Sequence, residues 1–140
     1  MKILFLDDSH HRLVALMESL SGMKILDEVD IDYAPNVEVA CDKLSNNSYE
    51  VIFLDHDLED SHYCDPNSKE KTGQEVAKYI AANNVKSNYI IIHSWNPIGA
   101  KHMVDILSDY STAYIPFNGI TLAKIIHNIL GIDIEGDQEI

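Results

Sequence analysis

Basic residues are scarce in this sequence: Lys and Arg together number 10 against 23 Asp and Glu, which gives a formal net charge of −13. A charge of this size argues against broad contact with nucleic-acid backbones or anionic membrane surfaces. We therefore expect neither a DNA duplex nor a membrane among the partners. A small phosphate ligand is still compatible with this charge, because a metal ion bound by carboxylates reverses the local sign.

Long hydrophobic runs and cysteine motifs are also missing. No apolar run approaches the ~20 residues that cross a bilayer, and the first residues lead into a predicted strand rather than a secretory hydrophobic region. The two cysteines, Cys41 and Cys64, match no metal or redox spacing. These absences favour a cytoplasmic protein with reduced thiols. The chain of 140 residues is expected to form one domain over residues 1–131, followed by a partly disordered acidic tail over 132–140.

What the sequence does contain is a regular alternation of short apolar runs and amphipathic stretches. This pattern predicts an α/β protein, a three-layer α/β/α sandwich whose five-stranded parallel sheet has the flavodoxin-like order 2-1-3-4-5. The predicted strands are Lys2–Leu6, Val29–Ala34, Glu50–Leu54, Asn88–Ile92 and Ala113–Ile115. The predicted helices begin after Ser9, Asn36, Thr72, Asn96 and Gly119, and the last of them is expected to end at Gly131.

Acidic side chains follow two of these strands directly. Asp7 and Asp8 follow the first strand, and Asp55 and Asp57 follow the third. The order 2-1-3-4-5 is chosen because it places both strand ends, and so these acids, side by side at one edge of the sheet, where ligands bind in open α/β folds. Carboxylate oxygens are preferred ligands of Mg²⁺ and Mn²⁺, so these four residues predict a divalent-metal site, with Asp57 either a ligand or a side chain that tunes the site. The alternative is that the acids only cap loops and helix starts.

Two histidines follow neighbouring strands, His56 after the third and His93 after the fourth. Imidazoles suit general acid–base work on a phosphodiester, since one can take a proton from the nucleophile and the other can give one to the leaving oxygen. His56, His93 and Asp55 are therefore the predicted catalytic residues. The alternative is that each histidine is buried by a single hydrogen bond.

The predicted helix that begins at Pro97 supplies a possible phosphate cradle. Ser94, Asn96 and the backbone near Gly99 are predicted to bind an anion, because a helix N-terminus offers unpaired N–H groups. Ordinary helix capping by Asn96 is the alternative.

The first helical turn after Asp8 carries further candidates. Arg12 is predicted to reach a phosphate, whereas the alternative treats it, with His10 and His11, as a solvated helical turn. Trp95 or Tyr63 could stack on a nucleobase, although plain packing or a surface position is the favoured interpretation of each.

The layout resembles the receiver domain of two-component response regulators. In that family an Asp pair after the first strand binds magnesium and an Asp after the third strand accepts a phosphoryl group, positions matched here by Asp7-Asp8 and by Asp55. Two departures are visible, since Ile115 stands at the family's Lys position and His93 at its Thr or Ser position. The resemblance therefore implies the receiver fold and the acid pocket more firmly than phosphorylation of Asp55.

A narrower resemblance rests on Asp7-Asp8 and on two strings, Asp55-His56-Asp57-Leu58 and His93-Ser94-Trp95-Asn96-Pro97-Ile98-Gly99-Ala100-Lys101-His102-Met103. They are similar to the cyclic-phosphate-processing receiver family, which is expected to act on nucleotides or other compounds with cyclic phosphates. The leading hypothesis is thus metal-dependent hydrolysis of a phosphorylated small molecule or nucleotide. The alternatives are a non-enzymatic module that binds a phosphorylated signal or partner, and a stand-alone phosphoacceptor receiver.

Overall fold

The computed structural model describes residues 1–58 and 72–138, with the backbone alone for 132–138. One parallel sheet contains the five strands in the order β2-β1-β3-β4-β5, so the predicted fold class and strand order are confirmed. The strands are β1 (Lys2–Leu6), β2 (Asp30–Ala34), β3 (Val51–Leu54), β4 (Tyr89–Ile92) and β5 (Thr112–Tyr114). The helices are α1 (His10–Gly22), α2 (Val37–Asn46), α3 (Gly73–Ala82), α4 (Pro97–Ile106) and α5 (Gly119–Gln138).

Both faces of the sheet are buried, which is why the strands read as continuous apolar runs. Successive side chains of a strand point to opposite faces. One layer of the core contains Leu4, Leu6, Ile52, Leu54, Ile90 and Ile92 with residues of α2, α3 and α4. The other contains Ile3, Phe5, Val51, Phe53 and Ile91 with residues of α1 and α5.

The strand register aligns the last residues of β1, β3 and β4 and therefore the residues that follow them. Leu54 pairs with Leu6 on one side and with Ile92 on the other. The ladder continues one residue further, because the backbone N–H of Asp55 donates to Leu6 at 3.1 Å and that of His93 donates to Leu54 at 2.9 Å. Adjacent strands therefore deliver the residues after β1, β3 and β4 to one point of the sheet edge.

Side-chain caps begin the helices where the sequence predicts them. Ser9 accepts from the N–H of Arg12, Asn36 from that of Val39, and Thr72 from that of Gln74. Each cap satisfies a helical donor that has no partner within the helix.

The end of the last helix differs from the prediction. Helix α5 continues through Gly131 to Gln138, so the predicted stop at Gly131 is wrong. No described glycine has a positive φ, and Gly131 therefore lacks the left-handed conformation that ends a helix. The polar stretch Glu59–Thr72 has no periodicity and predicts a long loop that is either functional or disordered. Apart from Thr72 it lies outside the described residues, as do Tyr63 and Cys64 within it. None of the described helices is both long and apolar enough to cross a bilayer.

Candidate metal and phosphate site

A buried polar cluster forms where β1, β3 and β4 end. Asp7 and His93 have no exposed surface and Asp55 is 2% exposed. One ligand atom of each of these three residues lies within 4.8 Å of the others. The strand ends bring Asp7 and Asp55 together as the sequence predicts, and they add His93 to the acid cluster, although proton transfer was the leading role predicted for this histidine.

Asp7 is the most heavily hydrogen-bonded member of this cluster. Its Oδ1 accepts from the backbone N–H of Ser9 at 2.8 Å, and its Oδ2 accepts from His93 Nε2 at 3.0 Å and from Arg12 Nη1 at 3.3 Å. Burial by itself would raise the pKa of Asp7, but the hydrogen bonds from His93 and Ser9 and the charge of Arg12 hold the pKa below its ordinary value. Asp7 is therefore a carboxylate at neutral pH.

Asp55 is in the opposite situation. Burial, reinforced by the charges of Asp7 and Asp8, raises the pKa of Asp55 to about 7, although Arg12 acts against this rise. Its hydrogen bond from Arg12 Nη1 is long, at 3.4 Å. The pocket thus carries more negative charge than its described cations neutralise.

His93 is enclosed by aromatic rings. Its imidazole stacks on Phe5 with ring centroids 4.9 Å apart and an 8° angle between the planes, and Phe53 and Phe117 present their edges to it. Burial lowers the pKa of His93 despite the neighbouring Asp7, so the neutral ring donates from Nε2 to Asp7. Its Nδ1 is buried and has no hydrogen-bond partner among the described residues.

An open cleft of about 490 Å³ lies above the acid cluster. This volume falls within the range of ordinary small-molecule sites. The predicted site residues that line it are Asp8, Arg12, Asp55 and Asp57, and the other lining residues are Ser9, His10, His11 and Trp95. The sequence alone suggested minor roles for His10, His11 and Trp95. The signals for a place in this cleft were the position of His10 and His11 just after the Asp pair and that of Trp95 inside the second string.

His56 belongs to a second polar cluster beside the cleft rather than to its lining. Its Nδ1 donates to Asp57 Oδ1 at 2.7 Å, and the amide of Asn96 donates to the same carboxylate oxygen at 3.3 Å. The side-chain nitrogen of Gln74 lies 3.3 Å from His56 Nε2 and 3.3 Å from His102 Nδ1. Sequence reasoning missed Gln74 and left His102 without a role, although His102 lies within the second string.

The groups predicted to bind a phosphate at the start of α4 form hydrogen bonds with one another. Ser94 is fully buried, and its Oγ accepts from the backbone N–H of Asn96 at 3.0 Å. Asn96 Oδ1 accepts from the N–H of Gly99 at 3.0 Å. The capping alternative describes this segment, and Ser94, Asn96 and Gly99 are not among the residues that line the cleft.

Comparison with known proteins agrees with this geometry. Residues 2–109 match the family described as the cyclic-phosphate processing receiver domain. The chain belongs to this family. No curated protein matches the chain significantly.

The fold of this receiver domain is similar to that of several solved receivers. For the CheY-like receiver domain from Methanospirillum hungatei the TM-score is 0.61 at 14% identity, over 96% of this chain and 97% of that one. For the receiver domain of the putative Luxo repressor protein from Vibrio parahaemolyticus it is 0.66 at 16% identity, over 98% and 95%. For the response regulator protein TrrA from Thermotoga maritima, in complex with Mg²⁺ and BeF, it is 0.60 at 21% identity, over 91% and 96%.

The side chain of Arg12 supplies a positive charge in the acid pocket of this receiver domain, although Ile115 stands at the Lys position. Ile115 packs against the α1–α5 layer of the core. Arg12 Nη1 instead bridges Asp7 and Asp55 from α1, and its guanidinium packs over the ring of Phe117 at 5.4 Å from the centroid. The phosphate-binding role predicted for Arg12 is therefore compatible with its position at the cleft.

The donor set of the pocket fits a hard divalent cation. Asp7 and Asp55 offer buried carboxylate oxygens, and Asp8 adds a third carboxylate at the cleft. Burial and repulsion from Asp7 and Asp8 raise the pKa of Asp55, and a bound cation would stabilise its carboxylate form. Asp7, Asp8 and Asp55 are thus the residues suited to hold Mg²⁺ or Mn²⁺.

Gly99 has no side chain where the ring of His56 packs, and this contact gives a testable prediction. A Cβ at Gly99 would lie 2.5 Å from Cγ and Cδ2 of the His56 ring, so Gly99→Ala must displace the imidazole from Asp57. We expect a loss of about 1–2 kcal/mol in the free energy of unfolding, measured by urea denaturation, and a shift of the His56 imidazole NMR signals.

Gly22→Ala is the matched control for that substitution. A Cβ at Gly22 meets nothing within 4 Å, and the change is expected to alter stability by less than about 1 kcal/mol. Equal stability of the Gly99→Ala and Gly22→Ala variants, with the His56 signals unmoved, would show that the ring does not rest on Gly99.

Proposed function

We propose that this receiver domain hydrolyses a ligand with a cyclic phosphate, using a divalent cation held by Asp7, Asp8 and Asp55. The observation that carries the proposal is the shared cleft, in which Asp8 and Asp55 lie beside the guanidinium of Arg12. A divalent cation held by carboxylates and an arginine guanidinium both attract the anionic oxygens of a phosphodiester. The family match supports the substrate class.

The reaction needs one water and no other co-reactant. The bound cation supplies charge neutralisation and a water of lowered pKa. A bond forms from the water oxygen to phosphorus, and one ester P–O bond of the ring breaks. The product is a phosphomonoester with a free hydroxyl group. Arg12 lines the cleft. Its guanidinium has five N–H donors, and Nη1 uses only its own two on the carboxylates of Asp7 and Asp55 at 3.3 and 3.4 Å, so we propose that the remaining donors bind a phosphoryl oxygen.

The cleft geometry changes the roles proposed for the histidines. His10 and His11 line the cleft and are exposed, so in our proposal they take the proton from water and return one to the leaving oxygen. His93 is a positioning residue, because its Nε2 holds Asp7 while its ring is buried among aromatic side chains. His56 is likewise a positioning residue that orients Asp57.

One observation favours a second candidate, phosphorylation of Asp55 by a small phosphodonor or a partner kinase. The arginine beside Asp55 provides a cation next to the phosphoacceptor position, which the sequence alone showed to lack its lysine. In this alternative Asp55 Oδ attacks phosphorus, the donor's P–O bond breaks, and an acyl phosphate forms on the protein.

Hydrolysis and phosphorylation are separated by one pair of measurements. The protein is incubated with a thousandfold excess of 2′,3′- and 3′,5′-cyclic nucleotides and Mg²⁺ or Mn²⁺, and products are followed by ³¹P NMR. A parallel sample with acetyl phosphate is analysed by intact mass. We expect multiple-turnover formation of a phosphomonoester. A stoichiometric mass increase for phosphorylation, without turnover of any cyclic phosphate, would replace hydrolysis by the phosphoacceptor function.

A further inference from the structure

Trp95 is an exposed aromatic residue with no assigned function in the fold. Its residue surface is 64% exposed, and among the described residues it belongs to neither layer of the hydrophobic core. It nevertheless lines the cleft that contains Asp55 and Arg12. An exposed indole on the wall of a polar cleft contributes little to folding, so a role in ligand contact explains its position better than packing does.

The backbone on either side of Trp95 is firmly held. Ser94 is fully buried at the end of β4, and its hydroxyl accepts from the N–H of Asn96. Asn96 in turn caps α4 through the N–H of Gly99. The indole is therefore presented from a fixed loop, which lowers the entropy cost of placing a ligand against it.

The arrangement of the cleft fits a ligand with two different ends. Asp8, Asp55 and Arg12 provide the end suited to a metal and a phosphate, and Trp95 provides the aromatic surface. A cleft of about 490 Å³ has room for one small molecule that contacts both. A nucleoside phosphate has this combination of an anionic group and a flat aromatic ring.

We propose that Trp95 is a stacking platform for a nucleobase, so that the ligand is a nucleoside cyclic phosphate rather than the cyclic phosphate of a simple sugar or polyol. The inference deepens the proposed function and rests on it for the position of the phosphate beside Arg12. Every base has an aromatic face, so the platform favours nucleotides as a class and purines modestly over pyrimidines.

The test exploits the single tryptophan of the sequence. Because Trp95 is the sole indole, the intrinsic tryptophan fluorescence reports its environment directly. Adenosine 2′,3′- and 3′,5′-cyclic phosphates are titrated with Mg²⁺ into the wild type, and their base-free methyl riboside counterparts are titrated in parallel. We expect saturable quenching by the adenosine compounds and not by the base-free ones.

Substitutions then measure the contribution of stacking. Trp95→Ala is expected to raise KM for the adenosine compound by about 5- to 150-fold, which corresponds to 1–3 kcal/mol per stacked base at 1.4 kcal/mol per tenfold, with a much smaller effect on kcat. Trp95→Phe should recover most of this loss. Ile98→Ala is the matched control, because Ile98 is 72% exposed three residues further on and does not line the cleft.

The outcomes distinguish the platform from the proposed function. Equal KM values for wild type and Trp95→Ala, or equal losses with the adenosine and base-free compounds, would overturn the platform. Saturable quenching by adenosine 5′-monophosphate, without turnover of any cyclic phosphate, would support the platform and overturn hydrolysis. Absence of quenching by every adenine compound would overturn the platform whether or not the base-free compounds are hydrolysed.

Discussion

Replacement of Asp55 by asparagine is expected to stabilise the metal-free protein at pH 8 by about 2 kcal/mol. Burial, with the charges of Asp7 and Asp8, raises the pKa of Asp55 from 3.8 to about 7. Between these two pKa values the unfolded chain has released the proton that the folded protein still holds, so stability falls as pH rises through this window. The full shift, which already includes the attraction of Arg12, corresponds to roughly 4 kcal/mol. About half of it is offset because the buried amide of asparagine brings N–H donors that need acceptors.

The pH dependence identifies the cause of this stabilisation. Below about pH 4 Asp55 is protonated in both states, so the advantage of Asp55→Asn should be largest near pH 8 and shrink by more than half near pH 5. Urea denaturation in EDTA at both pH values measures it. Asp105→Asn, which removes an exposed carboxylate of α4, is the control and should change stability by less than about 0.5 kcal/mol.

Magnesium should make the wild type more stable than Asp55→Asn at pH 8, which reverses the order of stability expected in EDTA. A cation that binds the folded state stabilises it by mass action, and the wild type offers Asp55 as a ligand whereas the variant does not. We expect Mg²⁺ to raise the melting temperature of the wild type at pH 8 and to leave Asp55→Asn nearly unchanged. An Asp55→Asn variant that is no more stable than wild type at pH 8 in EDTA would contradict the charge imbalance of this pocket.

Gly73→Ala is expected to destabilise the protein more than Gly99→Ala does, by about 3 kcal/mol or more. Gly73 is buried at the start of α3, and its N–H donates to the carbonyl oxygen of His56 at 2.9 Å. A Cβ at this position would overlap the backbone carbonyl oxygen of Asp55 and press on Met103. A backbone group cannot move aside as a side-chain rotamer can, so α3 must separate from the end of β3.

This separation should also damage the acid pocket, because Asp55 moves with its own carbonyl. Urea denaturation gives the loss of stability, and the Mg²⁺-dependent change in melting temperature gives the loss of the site. Gly22→Ala is again the matched control. A Gly73→Ala protein with wild-type stability and wild-type magnesium response would show that α3 does not pack against the Asp55 backbone.

The strands and helix starts were predictable because short-range physical rules determine them. Buried parallel strands require apolar residues on both faces, and this requirement made Ile3–Leu6 and Val51–Leu54 recognisable. Side-chain caps identified the helix starts after Ser9 and Asn96. The extension of α5 through Gly131 was missed because glycine is a frequent but not an obligatory helix end.

The acid pocket was predictable from strand order, but the orientation of side chains next to it was not. A residue that follows a strand can turn toward the cleft or toward the core, and nothing local decides this choice. His93 turns toward Phe5 because aromatic side chains enclose it, and His56 turns toward Gln74 because Gly99 leaves room for its ring. The bridge from Arg12 to Asp55 spans 43 positions along the chain, so the sequence does not show it.

Metal-dependent turnover of a cyclic phosphate tests the central claim most directly. Adenosine 2′,3′- and 3′,5′-cyclic phosphates are incubated with wild type, Asp55→Asn and the control Asp105→Asn, each with Mg²⁺ and with EDTA, and the phosphomonoester is quantified over many turnovers. We predict hydrolysis by wild type and Asp105→Asn that falls by a factor on the order of 10² or more in EDTA or in Asp55→Asn. Turnover that survives both EDTA and the loss of the Asp55 carboxylate would contradict a metal-dependent mechanism at this pocket.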